Sequence, residues 1–131
     1  MAIIEWTEDS KFIAISRASH GLVIDGDSKI GAAPMELVLI GVASCTGSDV
    51  VAILKKMRAD LKGLKVYIEG ERAEEYPKVY TRIKLKYTAK GNIDEKDLKK
   101  AIDLSQEKYC SASIMLKRSG TIFDIEYEIE P

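Results

Sequence analysis

A chain of 131 residues with 46% hydrophobic and 31% charged content is long enough to fold as one globular domain, residues 1–131, with a core of its own. Its net charge of −1, with acidic and basic residues interspersed, argues against nucleic acid or an anionic membrane surface as a partner. The longest apolar run is interrupted by Ser44, Thr46, Ser48 and Asp49, so no membrane span is expected; residues 1–6 lack the basic start and apolar core of a signal peptide, and the expected location is the cytoplasm, where thiols are kept reduced.

The first three elements are short, β-branched segments at residues 3–6, 11–17 and 20–25, separated by polar or Gly-containing breaks; they predict an antiparallel meander. Gly26 and Gly31 bound a loop, and Pro34 suits the first turn of a helix running to about Arg58, with Leu37, Ile40, Val50, Ile53, Leu54 and Met57 among its apolar members. The first half of this helix is apolar nearly all round, which marks a helix buried on most faces. Gly47 weakens it locally and predicts a bend near Cys45. Two strands follow at 64–72 and 79–87, each alternating apolar with charged residues, so each has one wet face. Asp94 is placed to cap a helix through Tyr109 whose inner side carries Leu98, Ala101, Ile102 and Ser105. A short helical piece at 111–117 precedes a last strand in which Phe123, Ile125, Tyr127 and Ile129 alternate with acidic residues. The order is βββ-α-ββ-α-β, an α+β layout without repeats or an internal linker. One small sheet covers too little of a long, apolar helix, and a partner chain is the economical source of the rest.

The chemistry-bearing residues centre on the two cysteines. Cys45 lies in an apolar run and Cys110 ends a helical segment, sixty-five residues apart. That separation is no CxxC redox motif, and two thiols with a single histidine do not make an ordinary zinc site. Two readings remain: inert buried thiols, since free cysteine often serves as a small hydrophobe, or a pair brought together by the fold.

The segment from Pro34-Met-Glu-Leu through Ala43-Ser-Cys45, the Asp49-Val-Val run and the distant Tyr109-Cys110 together resemble the OsmC/Ohr family of organic-hydroperoxide reductases, in particular an OsmC-like branch with a Pro-Met-Glu-Leu helix start. The resemblance spans nearly the whole chain. It implies antiparallel sheets wrapped around central helices in an intertwined homodimer, with active sites at the interface. It also implies a thiol-dependent peroxidase in which Cys45 attacks the hydroperoxide, Cys110 resolves the sulfenic acid as a disulfide, and an external dithiol reduces that disulfide; no metal, flavin or haem is called for. The alternative is a non-catalytic dimer that binds a small apolar ligand or senses thiol oxidation.

A peroxidatic thiolate needs a nearby cation or hydrogen-bond donors. Cys45 is about three turns into its helix, beyond the reach of the N-terminal dipole, so a side chain must supply them. Arg17 is the candidate: it ends the second strand on the face of Ile13 and Ile15, and the resemblance assigns this role to an arginine of the N-terminal strands held by a glutamate. Glu36 is the match for that glutamate, standing nine residues before Cys45 where the family places it ten before, a rotation of about 100° on a helix. The residue after the second cysteine is Ser111 where the family often has proline. Asp49, one turn after Cys45, would oppose thiolate formation unless paired, and no catalytic role is assigned to it. His20, between Ser19 and Gly21, reads as a turn residue. An apolar pocket built partly from Val38, Val42 and the partner chain would favour alkyl hydroperoxides over hydrogen peroxide.

Overall fold

The β-branched segments that open the chain pair as their alternation demands. In the computed structural model, which describes residues 1–131, β1 (Ile3–Glu8), β2 (Lys11–Ile15) and β3 (Gly21–Asp25) form an antiparallel sheet in the order β1-β2-β3. Strand β2 stops at Ile15, two residues earlier than its pattern suggests. The reason is local: Ser19 takes a positive φ of 62°, and Ser16 bonds across to His20, its Oγ accepting the His20 N–H at 3.1 Å. Arg17 therefore sits exposed in the β2–β3 turn rather than on the strand face of Ile13 and Ile15. His20 ends that turn, as expected.

At the end of β3, Asp25 is fully buried and organises the loop that leads to the long helix. Its carboxylate accepts the backbone N–H groups of Asp27, Lys29 and Ile30 and the hydroxyl of Ser10. Those donors, Asp27 first, hold its pKa below the usual carboxylate value against the opposing effect of burial. Such a ring of donors replaces the sheet ladder that the chain leaves at this point.

Helix α1 runs unbroken from Pro34 to Lys56, through Gly47. It opens on a proline, which has no N–H to leave unpaired, and closes on Lys55 and Lys56, whose charges suit the C-terminal end of the helix dipole. Despite Ser44, Thr46, Ser48 and Asp49, this helix is long and apolar enough to cross a membrane by length and composition. The sequence expectation was too strict there, because three hydroxyls and one carboxylate over so long a helix leave its mean hydropathy high. Core helices of folded domains pass the same test, and Val42, Thr46, Val50 and Leu54 form a buried stripe at the four-residue spacing of one helix face.

The chain divides into two compact units, Met1–Val38 and Leu39–Pro131. Within the second, β4 (Asp60–Arg72), β5 (Tyr80–Asn92) and β6 (Ile122–Glu130) form a sheet with β5 in the centre. The β4–β5 pair is antiparallel, but β5 and β6 run parallel, which corrects the expectation of antiparallel sheets throughout. The cause is the connection: residues 93–121 cross over through helices and return the chain to the end of the sheet where β5 began, as a parallel pair requires. Lysines and Arg82 of β5 meet acids of β6 through Arg82–Asp124 (2.7 Å), Lys84–Glu126 (3.5 Å) and Lys86–Glu128 (3.4 Å). Each exposed pair contributes little on its own, about 0–1 kcal/mol, and a one-residue slip would carry the acids to the opposite face from their basic partners.

The crossover holds α2 (Glu95–Leu104), a π-helical turn (Ser105–Tyr109) and α3 (Ser111–Arg118). Asp94 caps α2 as expected, its carboxylate accepting the Lys96 N–H at 2.9 Å. The helix expected to reach Tyr109 keeps α geometry only to Leu104, after which Cys110 N–H bonds to Ser105 O at 2.7 Å, five residues back. Apolar side chains of α1, β5 and α2 supply the core of this unit: Val50, Leu54, Ile83, Leu85, Tyr87, Leu98 and Ala101 are fully buried.

Candidate active site

Cys45 is half-buried on the middle of α1, and Asp49 follows one turn later on the same side. Cys110, fully buried, comes from the other end of the unit's sequence as the N-cap of α3, with extended backbone (φ −76°, ψ 96°). The fold brings the sulfurs of Cys45 and Cys110 and a carboxylate oxygen of Asp49 within 4.8 Å of one another. Of the two readings the sequence left open, a pair made by the fold is the one observed.

The cap position decides what Cys110 feels. Its sulfur accepts the Ser113 N–H at 3.4 Å, one of the donors that a helix start leaves without an intrahelical partner, and lies 3.1 Å from Ser113 Oγ. Burial pushes the Cys110 thiol above its ordinary pKa, the two Ser113 contacts pull it partway back, and the neighbouring Cys45 pushes it up again. At neutral pH Cys110 therefore holds its proton. Close by, Lys117 Nζ donates to the Gln106 carbonyl at 2.9 Å and stands 5.2 Å over the Phe123 ring. Burial lowers the pKa of this lysine, while Cys110 and Glu107 raise it.

Around the sulfurs runs a buried polar network that the sequence reading did not identify. Thr46 Oγ1 lies 2.7 Å from both Tyr87 Oη and Ser105 Oγ, and the Ser105 hydroxyl donates to Asp49 at 2.9 Å. Gln106 Nε2 reaches Thr46, Tyr87 and Ser113 at 3.1, 3.1 and 3.2 Å. The π-helical turn makes this possible, since it lets consecutive residues, Ser105 and Gln106, both point inward. The signals were present but weak: Thr46 falls on the Val42–Val50 stripe, and Gln106 and Ser113 stand four before and three after Cys110.

Tyr87 is the most strongly perturbed phenol of the group, pushed up to about 12 mainly by burial, against hydrogen bonds from Thr46 and Gln106. Because the folded protein holds this proton more tightly than the unfolded chain, its contribution to stability is intact below pH 10.0 and is lost as pH climbs toward about 12. A displacement of that size corresponds to roughly 2–3 kcal/mol. We expect wild-type unfolding free energy to fall more steeply than that of Tyr87→Phe between those pH values, with a tyrosinate absorbance step near pH 12 absent from the variant. Parallel pH dependences would contradict it.

The other two residues proposed from sequence lie elsewhere in the chain's organisation. Arg17, in its turn, and Glu36, exposed in the first turn of α1, both belong to the first unit, whereas both cysteines belong to the second.

A dithiol assembled from a long helix and the start of a short one, in a mixed α+β fold with two three-stranded sheets, defines a class of thiol proteins. The model of the OsmC-like protein family matches residues 25–126, and the chain belongs to that family. Among its relatives, Protein YhfA of Escherichia coli (strain K12) is 40% identical over 123 residues, 92% of each chain. A crystal structure of a hypothetical protein from Aquifex aeolicus VF5 superposes with a TM-score of 0.90 at 37% identity, covering 99% of this chain and 95% of that one. The organic hydroperoxide resistance protein OhrB of Bacillus subtilis shares the fold at 14% identity, with a TM-score of 0.63 and 98% of each chain covered.

Proposed function

We propose that the protein is a thiol-dependent peroxidase of organic hydroperoxides, acting in the cytoplasm as a homodimer. The observation that carries this reading is the approach of Cys45 and Cys110 to within 4.8 Å across the fold. Cys45 is the more exposed sulfur and meets the substrate; Cys110 is buried and keeps its proton until it is needed. In the first step the Cys45 sulfur attacks the peroxide, the O–O bond breaks, and the alcohol leaves with the thiol proton, giving Cys45 sulfenic acid. In the second, Cys110 displaces hydroxide from that sulfur, water departs, and a disulfide forms. An external dithiol then reduces the disulfide by exchange.

Apolar room beside the site favours an organic substrate. Val42 is buried within this chain, while Val38 is 38% exposed. A depression of about 520 Å³ adjoins Asp49, with Ala52, Ile53, Met57, Leu104 and Tyr109 as its apolar lining and Lys56 and Lys100 as its charged one. Hydrogen peroxide has no tail to bury there, so an alkyl hydroperoxide gains more from it. The test is consumption of cumene or tert-butyl hydroperoxide by the reduced protein with a dithiol donor; absence of turnover would leave the chain as a binding or thiol-sensing dimer. Arg17 keeps its proposed role of activating cation, with Glu36 as its holder. On that reading Arg17→Ala slows peroxide consumption by about tenfold or more near neutral pH and Glu36→Gln does less, since one charge-assisted hydrogen bond contributes about 1.5–3 kcal/mol. Equal rates for wild type and Arg17→Ala would remove Arg17 from the mechanism.

A further inference from the structure

Gln106 is the branch point of the buried network, and its donor count gives the network a direction. The amide nitrogen carries two protons and faces three oxygens, Thr46 Oγ1, Tyr87 Oη and Ser113 Oγ, while the carbonyl oxygen Oε1 is buried with no partner. Turning the amide over would strand two N–H donors in place of one carbonyl, a greater cost, so the nitrogen faces the hydroxyls. One N–H is committed to Ser113 and the other to the Tyr87–Thr46 pair.

Two donor chains then run outward from the same amide. The first passes from Tyr87 to Thr46 to Ser105 and ends on Asp49, because Ser105 spends its own proton on that carboxylate and must accept from Thr46. In the second, Gln106 and the Cys110 S–H both donate to Ser113 Oγ, so the chain runs on to the sulfur only when Cys110 is a thiolate. While Cys110 is a thiol, its S–H donates to Ser113 Oγ; once the proton leaves, the Ser113 hydroxyl turns and donates to the sulfur, with Gln106 still donating to the oxygen from behind. Hydrogen bonds aligned in this way polarise one another.

We infer that Gln106 is a positioning residue for Cys110: by holding Ser113 Oγ as an acceptor, it commits the Ser113 hydroxyl proton to the sulfur and favours the thiolate through which Cys110 acts. The kinetic consequence rests on the peroxidase reading, whereas the physical claim about Cys110 does not. In the resolving step the Cys110 thiolate attacks the Cys45 sulfenic sulfur, the S–S bond forms as the S–O bond breaks, and the departing hydroxide takes up the proton that Cys110 released. Other charged or titratable groups face Cys110 from every side: Cys45 and Asp49 on α1, Tyr87 on β5, and Lys117 on α3 with Glu107 behind it. A substitution that removes only the Gln106 amide leaves all of these in place.

The first experiment needs no peroxide. With Cys45→Ser, Cys110 is the one thiol left in a chain of two cysteines, so thiolate absorbance against pH reports it alone. Gln106→Met, which keeps the length and loses the donors, should raise the titration midpoint by about one pH unit, a tenfold loss of thiolate at a given pH. Ser113→Ala should give the same change, the double variant no more than either, and Ser113→Thr should stay at the parent value; a purely structural loss would not show this non-additivity and rescue. In the two-cysteine protein, one equivalent of hydroperoxide should then yield a Cys45 sulfenic acid that lasts about tenfold longer in Gln106→Met, formed at an unchanged rate. Titration curves unaltered by both Gln106→Met and Ser113→Ala overturn the inference. A displaced titration in a protein that never forms a sulfenic acid keeps the positioning role and overturns the peroxidase reading instead.

Discussion

Cys45→Ser abolishes hydroperoxide consumption, with turnover falling by at least about 10³-fold, because the other thiol, Cys110, is buried and a serine hydroxyl is a far poorer nucleophile toward an O–O bond. Cys110→Ser behaves differently. The first equivalent of peroxide is still reduced, since attack requires only Cys45, but the sulfenic acid has lost its intramolecular partner. A dimedone-type probe should label it nearly stoichiometrically, and further peroxide should carry it on to sulfinic acid. Steady-state turnover with a dithiol donor drops, because an external thiol must now find the site by diffusion. The contrast between the variants separates nucleophile from resolver: matching phenotypes, or full turnover in Cys45→Ser, would refute the assignment. Burial of Cys110 agrees with its part in this sequence, as a thiol kept protonated neither competes for substrate nor becomes over-oxidised before its turn.

Much of this arrangement was legible in the residues, and the exceptions have identifiable causes. Alternation in the first three segments gave the meander, Pro34 the start of α1, and Asp94 the cap of α2, because each is a local preference that the surrounding fold does not oppose. Strand direction was another matter. The basic face of β5 and the acidic face of β6 complement one another in either orientation, and only the length and path of the crossover make the pair parallel. Arg17 fell off its strand because a positive φ at Ser19 closes the turn early, and serine gives little warning of that in sequence. The pairing of Cys45 with Cys110 was legible only through the family pattern. Thr46, Gln106 and Ser113 escaped notice because isolated hydroxyls and amides on helices are usually read as solvated; their meaning depends on meeting one another across as many as sixty residues of chain, aided by a π-helical turn that no periodicity announces.

The homodimer proposed for this chain has a sharper test than its mass alone. Helix α1 buries one stripe, Val42 to Leu54, but the neighbouring stripe of Ala43, Gly47 and Val51 lines an open apolar groove of about 830 Å³, walled by Leu64, Val66 and Ile68 of β4 and including neither cysteine. Small side chains at Ala43 and Gly47 allow a second helix to approach closely, and Ile40 stays 45% exposed at the groove's end until one does. Stable dimers bury about 1,600 Å² in total, more than scattered surface contacts supply, so an extended apolar face of this kind is the place to find it. Wild type should therefore sediment at micromolar concentration as about twice the 14.5 kDa chain. Val51→Glu would set a carboxylate in the joint with only Lys55, one turn on, to pair it; a cost of about 3 kcal/mol raises the dimer dissociation constant by roughly a hundredfold and shifts the population toward monomer. Lys62→Glu, on the exposed end of β4 and outside the groove, should leave the mass unchanged. A wild-type monomer at that concentration, or a Val51→Glu dimer as tight as the parent, would mean that the groove is not where a second copy sits.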